Sequence, residues 1–468
     1  MKHALDKNKG TGLLELKEHT YQLRDVTEPE LYRGIFDFDQ VPKAIFNQRR
    51  VPMNVPEKFW ITDTTFRDGQ QSTAPFTVEQ IVKIFEMLSR LGGKKGIIRQ
   101  SEFFLYSEKD RKAVEKCKEL NLKFPEITSW IRANAKDFEL VKQMEIKETG
   151  ILVSCSDYHI FNKMKLTRKQ AVEKYLAIVK AALEQNIIPR CHFEDITRAD
   201  FYGFVVPFAY ELMKLSRETK IPIKIRACDT LGYGVSYPGS ALPRSVQGII
   251  YGLNYYADVP SEQLEWHGHN DFYKVVINAA TAWLFGCSSV NCSVLGIGER
   301  TGNCPTEAMC IEYAQLKGTQ DGMDFKVITE LAKYFEEEIG YSVPSHTPFA
   351  GRSFNSTRAG IHADGMLKDP EIYNIFDTEK ILGRRPMVSI SETSGFAGIA
   401  YWMNEFYELN AENQVEKTED IVAKVKALVD KEYNGGRNTV MGDDELDDMV
   451  RLTDKKLHRQ LEMGIYKK

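Results

Sequence analysis

Charge of one sign is what this chain has little of. Its 62 Lys and Arg oppose 66 Asp and Glu, a net charge of −4 over 468 residues. Such a balance excludes a basic surface of the kind that coats nucleic acid. No run of about 18 apolar residues is present, so nothing reads as a membrane span. The opening MKHALDKNKG has no apolar stretch behind its basic residues and does not read as a secretory signal. The eight cysteines include no C-x-x-C pair, which excludes a zinc ribbon or a thioredoxin-like site. Several lie in apolar strand-like runs, where a reduced thiol behaves as a small hydrophobe. No Gly-rich dinucleotide loop follows the first strand-like run, and no low-complexity tract or internal repeat occurs. With 43% hydrophobic and 27% charged residues the composition is that of a globular protein. These absences describe a reducing-compartment chain, most simply cytoplasmic, with neither nucleic acid nor membrane among its partners.

What is present is a rhythm. Residues 1–56 mix charge, turn residues and aromatics and read as an N-terminal arm, punctuated at its end by VPMNVP (Val51–Pro56). From there strand-like runs alternate with helical patterns, the signature of βα units and a parallel sheet. The strands read as Trp60–Phe66, Gly96–Glu102, Glu126–Trp130, Gly150–Ser156, Pro189–Asp195, Lys224–Thr230, Leu264–Asn270 and Ser289–Gly296. Between them, Val172, Tyr175, Leu176, Val179 and Leu183 share one apolar helix face. Eight strands with intervening helices predict an α/β fold, a (β/α)8 TIM barrel over 57–320, rather than an open doubly wound sheet. Residues 321–468 predict a C-terminal, mostly helical region in two parts, with no long linker.

In such a barrel the chemistry gathers at the C-terminal strand ends. Those ends supply Arg67, Asp68 and Gln71, then Glu102, then Asp157 and His159, then Arg190, His192 and Glu194. Asp229 and Thr230, then His267, His269 and Asp271, and finally Glu299, Arg300 and Asn303 complete the rim. In a strand, residues two apart face one side, so both imidazoles of His267-Gly268-His269 face the barrel axis. Two histidines with a carboxylate from another strand form a divalent-metal set, and Asp68 is the natural third ligand. An H-x-H pair alone fits ordinary hydrogen-bonded histidines as well; six preceding βα-like units and the following Asn270 and Asp271 favour the metal. His159 and His192 are weak signals individually. His346 and His458 lack such context and read as surface residues.

DTTFRDGQQ (Asp63–Gln71), EWHGHND (Glu265–Asp271), GIGERTGN (Gly296–Asn303) and GIHADG (Gly360–Gly365) together resemble the Claisen-condensing DRE-TIM metalloenzymes, the group of the isopropylmalate and homocitrate synthases. The resemblance implies a metal-dependent condensation of acetyl-CoA with a 2-oxo acid, followed by thioester hydrolysis. It implies Asp68, His267 and His269 as metal ligands, with Asn303 near the metal, which would be Mn²⁺ first and Co²⁺, Mg²⁺ or Zn²⁺ otherwise. It places Arg67 on the keto oxygen, Gln71 nearby, and Glu194, His362 and Tyr373 in catalysis. The last two fall in the C-terminal region, which in this group covers the barrel of the partner in a homodimer. The metal would polarise the carbonyl and Arg67 would stabilise the oxygen as it becomes an alkoxide. Glu194, His362 and Tyr373 stand together as candidates for the base, histidine being the side chain that ordinarily titrates near neutrality.

Glu102, His159, Arg190, His192 and Thr230 line the expected substrate side. A His192 imidazolium beside Arg190 would suit a second carboxylate, which favours a dicarboxylic 2-oxo acid, oxaloacetate first, over a branched apolar one. Phe103, Phe104 and Leu105 replace the Gly-Phe-Pro-like turn of relatives after strand two. Three rival readings are a hydroxymethylglutaryl-CoA-type lyase, a biotin-enzyme carboxyltransferase and a non-enzymatic metal-binding scaffold. The lyase wants a Cys in the loop that here reads GERTGN. The carboxyltransferase wants a metal-bridging modified Lys. The scaffold would have no need of an intact metal set.

Overall fold

In the computed structural model, which describes residues 5–7, 14–16, 21–410 and 412–466, the chain forms two compact units, Met1–Asp324 and Phe325–Lys468. Much of the opening of the N-terminal arm lies outside the described residues. In the first unit eight strands pair parallel: β1 (Trp60–Asp63), β2 (Ile98–Phe103), β3 (Glu126–Ile131), β4 (Glu148–Ser154), β5 (Ile188–Glu194), β6 (Lys224–Asp229), β7 (Leu264–Gly268) and β8 (Ser289–Cys292). Each pairs with its neighbour in sequence and β8 pairs with β1, which closes the barrel. The predicted TIM barrel is therefore observed.

The strands are buried on both faces, and Ile61, Ile98, Ile151, Phe193, Ile225 and Val290 alternate outward against a ring of helices. Two of those helices, α1 (Val78–Gly92) and α4 (Arg168–Glu184), each begin with a Thr–Gln capping box, Thr77 with Gln80 and Thr167 with Gln170. Strand one stops at Asp63, short of the predicted Phe66, because the Arg67 and Gly69 N–H groups turn back onto the Thr64 carbonyl. Strand eight likewise stops at Cys292, where the chain enters a turn with Leu295 in the left-handed region, φ 55°.

Inward, the barrel departs from the usual aliphatic filling. Arg190, which is fully buried, reaches Glu102 through Nη2 and Glu148 Oε1 at 2.8 Å through Nη1. Arg226, equally buried, reaches Glu102 Oε1 at 3.0 Å and pairs with Glu265 through Nε. Lys224 Nζ lies 2.6 Å from Glu148 Oε2, and Gln100 Nε2 donates to the same carboxylate at 2.9 Å. An ionic plug thus fills the axis below the catalytic face.

The described part of the arm packs along that face. Arg168 donates to the Arg24 carbonyl at 3.3 Å, Tyr158 Oη to the Leu31 carbonyl at 2.6 Å and Arg244 to the Pro42 carbonyl at 3.1 Å. In the second unit, α9 (Lys326–Glu337) precedes a two-stranded parallel ladder, β9 (Ser356–Thr357) with β10 (Met387–Val388). Helices α10 (Gly360–Lys368), α11 (Thr378–Leu382), α12 (Phe396–Phe406), α13 (Asp420–Asn434), α14 (Asp443–Thr453) and α15 (Lys455–Glu462) complete it. Their core holds Ile399, Met403, Val422, Val425, Val450 and Leu461. His458 is not a surface residue as expected: it is buried on α15 with Nε2 2.8 Å from Asp447 Oδ1.

Removing one partner of a buried ion pair strands the other in a low dielectric. Glu148→Leu, which leaves Lys224 and Arg190 underpaired, is expected to cost about 3–5 kcal/mol of stability. Opening the exposed Lys83–Glu86 pair with Lys83→Ala is expected to cost less than about 1 kcal/mol. Denaturant midpoints of the two variants check this contrast.

Candidate active site

Local geometry starts with Asp63 at the end of β1. Its carboxylate accepts from Thr65 N–H at 3.1 Å and from the Thr65 and Ser101 hydroxyls, which fixes the turn that swings Asp68 inward. On β7, His267 projects inward, and its Nδ1 lies 2.8 Å from Asn291 Oδ1 on registered β8. That contact sets the ring so that Nε2 faces the axis, the outer-shell role common behind metal-binding histidines. His267 Nε2 lies 3.2 Å from His269 Nε2 and 3.6 Å from Asp68 Oδ2. One ligand atom from each of Asp68, His267 and His269 falls within 4.8 Å of the others, and all three residues are buried. Asn303 Nδ2 donates to Asp68 Oδ2 at 3.3 Å, while its Oδ1 is buried without a hydrogen-bond partner among the described residues. The loop carrying Asn303 needs Gly302, at φ 90°, because a β-carbon there would stand 2.1 Å from the Gly296 carbonyl oxygen.

Electrostatics prepare the set. Burial alone would raise Asp68, but Arg67, His267, His269 and Arg226 outweigh it and hold the carboxyl at about 2. Burial, reinforced by His267, presses His269 down to about 4, and burial likewise lowers His267. At neutral pH the site therefore presents a carboxylate and two neutral imidazoles, the protonation states a divalent ion requires. The donor set fits such an ion.

Around it, Arg67 pairs with Asp68 through Nη1, lies 3.9 Å from Glu102 Oε1 through Nε and stacks 4.8 Å over the Trp130 ring. Glu102 is held ionised against burial by Arg226, Arg190 and Arg67. Glu194, at the end of β5, accepts from Ser154 Oγ and lies 3.1 Å from His159 Nδ1. Burial pushes Glu194 up, but His159, Ser154 and Lys163 together hold it at about 2. Thr230 Oγ1 accepts from the Asp195 N–H at 2.8 Å, and its carbonyl accepts from Arg300 at 2.6 Å. Gln71 ends the short turn after Asp68 with its side chain exposed.

In the second unit, His362 on α10 has Nδ1 3.1 Å from Thr357 Oγ1, and its ring centroid lies 4.3 Å from that of Tyr373. Gly365 makes room for that tyrosine, since a β-carbon there would stand 2.5 Å from its Cε2.

The structure thus brings Arg67, Asp68, Glu102, His267, His269 and Asn303 together, pairs His159 with Glu194, and pairs His362 with Tyr373. One expectation is corrected. His192 is not an imidazolium beside a free Arg190: burial with Arg226, Arg190 and Arg67 drives it well below the usual range, and Arg190 is occupied by Glu102 and Glu148. Sequence reasoning missed Trp130, Arg226 and Asn291. The period-two alternation of their strands carried the signal, since each lies two residues from another inward position.

A (β/α)8 barrel with an Asp-His-His donor set at its C-terminal rim is the architecture of a metal-using barrel enzyme. The chain belongs to the HMGL-like family, whose pattern matches residues 58–334, and the homocitrate synthase post-HMGL domain-like pattern follows over 350–433. It is 60% identical over 432 residues to the citrate (Re)-synthase of Clostridium kluyveri, covering 92% of this chain and 95% of that protein. It is 54% identical over 438 residues to the citrate (Re)-synthase of Syntrophus aciditrophicus, covering 93% and 70%. The 2-phosphinomethylmalate synthase of Streptomyces hygroscopicus is 36% identical over 430 residues, covering 90% and 96%.

His269 makes the metal-free protein sensitive to acid. Its proton affinity is lower folded (about 4) than unfolded (6.5), so the folded state carries fewer protons in that window. Its contribution to stability is complete above about 6.5 and is lost as pH falls toward 4. Asp63 and Asp229, pushed by burial to about 6, act with the opposite sign and lose their contribution as pH rises. Chemical denaturation of chelator-treated wild type and His269→Asn is expected to show the wild type losing more stability between pH 6.5 and 4.

Proposed function

We propose that this protein condenses acetyl-CoA with oxaloacetate and water to give citrate and free CoA. The observation that carries this reading is 60% identity, across 92% of the chain, to a protein named citrate (Re)-synthase, joined to the Asp68, His267 and His269 donor set. Two imidazoles and one carboxylate form a mixed nitrogen and oxygen set for a first-row divalent ion, and we assign Mn²⁺ to it. Bound there, the ion would supply Lewis acidity to the 2-oxo acid carbonyl.

The rest falls to side chains. Arg67, locked between Asp68 and the Trp130 face, offers a fixed guanidinium to the oxygen that gains charge as the new carbon–carbon bond forms. Asn303 orients Asp68. Glu194, held at about 2, is a weak proton acceptor at neutral pH and serves to orient His159. We assign removal of the acetyl methyl proton to His362 with Tyr373, and place that pair over the barrel of a partner subunit in a homodimer.

Thiol release from acetyl-CoA with Mn²⁺ is expected with oxaloacetate, and labelled acetyl-CoA should leave its label in one arm of the citrate. Chelation or Asp68→Asn should abolish release. Release only with 2-oxoisovalerate, pyruvate or 2-oxoglutarate would overturn the substrate assignment. Co-expressing Asp68→Asn and His362→Asn chains, each inactive alone, should restore activity in hybrid dimers; no restoration would refute the shared site.

A further inference from the structure

We infer that Glu307, on α8 (Thr306–Lys317), is a positioning residue for the Asp68, His267 and His269 set, acting through the loop that carries Asn303. The inference rests on reading that set as a metal site and not on the 2-oxo acid assigned to the enzyme. Glu307 makes no hydrogen bond to any of the three donors. It sits in the first turn of the helix that follows the Asn303 loop, and it reaches back into that loop.

The loop is closed by its own backbone. Ser293 N–H donates to the Cys304 carbonyl at 2.9 Å, and Asn303 N–H donates to the Gly296 carbonyl at 2.8 Å. That second bond places Asn303, whose Nδ2 reaches Asp68 Oδ2 at 3.3 Å. Asn303 also forms an antiparallel bridge with His269, and Asn270 N–H donates to the Gly302 carbonyl at 2.9 Å. Two members of the donor set therefore depend on where this loop stands. The demanding residue in it is Leu295, at φ 55°, a conformation that side-chain-bearing residues seldom adopt. Its neighbour Gly296 supplies the carbonyl that receives Asn303. Glu307 Oε2 accepts the Leu295 N–H at 3.0 Å, and Thr65 Oγ1 accepts the Val294 N–H at 2.9 Å. Side chains thus hold both N–H groups that lead into the turn.

An acid is a costly choice at this position. Glu307 is buried, and no Lys, Arg or His nitrogen lies within 4.0 Å of its carboxylate among the described residues. Burial pushes the carboxyl up to about 7, against the backbone N–H groups of Glu307 and Leu295. A buried acid without a counter-ion is destabilising by itself, and such departures gather at functional sites. What the carboxylate gains is the Leu295 N–H, twelve residues back along the chain. That bond ties the loop to a helix, and the loop in turn sets Asn303 against Asp68 and His269.

Mn²⁺ titration of the metal-free protein, followed by the EPR signal of the free ion, reads the site without turnover. Glu307→Leu, which leaves the Leu295 N–H unpaired, is expected to weaken Mn²⁺ binding about 10- to 100-fold, the range for outer-shell support. Glu307→Gln, whose amide oxygen can take the same N–H, should recover most of that loss. Asn303→Ala should weaken binding as well. Combined with Glu307→Leu it should lose less than the product of the two single effects, because both act through one residue. A loss equal to that product, or unchanged Mn²⁺ affinity in Glu307→Leu, would overturn the assignment. Glu307→Asp, one methylene shorter, serves in the same cycle if the leucine variant does not fold. Wild-type protein that takes up no Mn²⁺ would overturn the metal reading and this assignment with it. Mn²⁺ uptake without thiol release from oxaloacetate would overturn the condensation reading alone.

Discussion

The structure depends on a charged barrel axis. Burying Arg190, Arg226, Glu102, Glu148 and Glu265 together is costly unless each charge is met, and each is, by partners from different strands. Because the pairs cross the barrel, they tie β2, β4, β5, β6 and β7 to one another in register. The same plug gives the active face its floor. Glu102 contacts both Arg67 and Arg226, so the guanidinium beside the Asp68, His267 and His269 set is positioned by the network that holds the barrel closed.

Above that floor, burial does two jobs. It lowers the proton affinity of His267 and His269 so that both stand as neutral imidazoles, and it makes the Arg67–Asp68 contact strong enough to keep Asp68 ionised where an isolated buried carboxyl would take up a proton. Asn291 and Asn303 then orient the donor set, one through His267 and one through Asp68. The arm adds a further constraint, since Leu31 accepts from Tyr158, the neighbour of the His159 that faces Glu194. The loop that delivers Asn303 holds Leu295, Gly296, Arg300 and Gly302 all at positive φ.

Much of this was legible from local pattern. Alternating strand and helix periods placed eight strands to within a few residues, and the spacing of His267 and His269 put both imidazoles on the inner face, because strand alternation and helix amphipathicity are properties of neighbours in sequence. The four motifs were specific enough to indicate the family, and the apolar face from Val172 to Leu183 packs as its spacing requires. The ends of strands one and eight were misplaced, since the turns at Thr64 and Leu295 are held by contacts that no short-range rule encodes.

Charge states and partners were decided by the fold alone. His192 reads as a cation in the sequence and is neutral in the barrel, because burial disfavours its charge and Arg226, Arg190 and Arg67 converge on it from β6, β5 and the turn after β1. Arg190 reads as a substrate group and is occupied by two glutamates from β2 and β4. Alternation along EITSWI turns Trp130 inward, but that its buried indole N–H has no hydrogen-bond partner among the described residues is a result of the packing around it. The sequence by itself determined the elements, their order and the residues that meet as the Asp-His-His set, since those follow from periodicity and motif. Which polar groups remain unpaired around the metal site was decided by tertiary structure, since closing a barrel sets side chains from eight strands against one another across its axis.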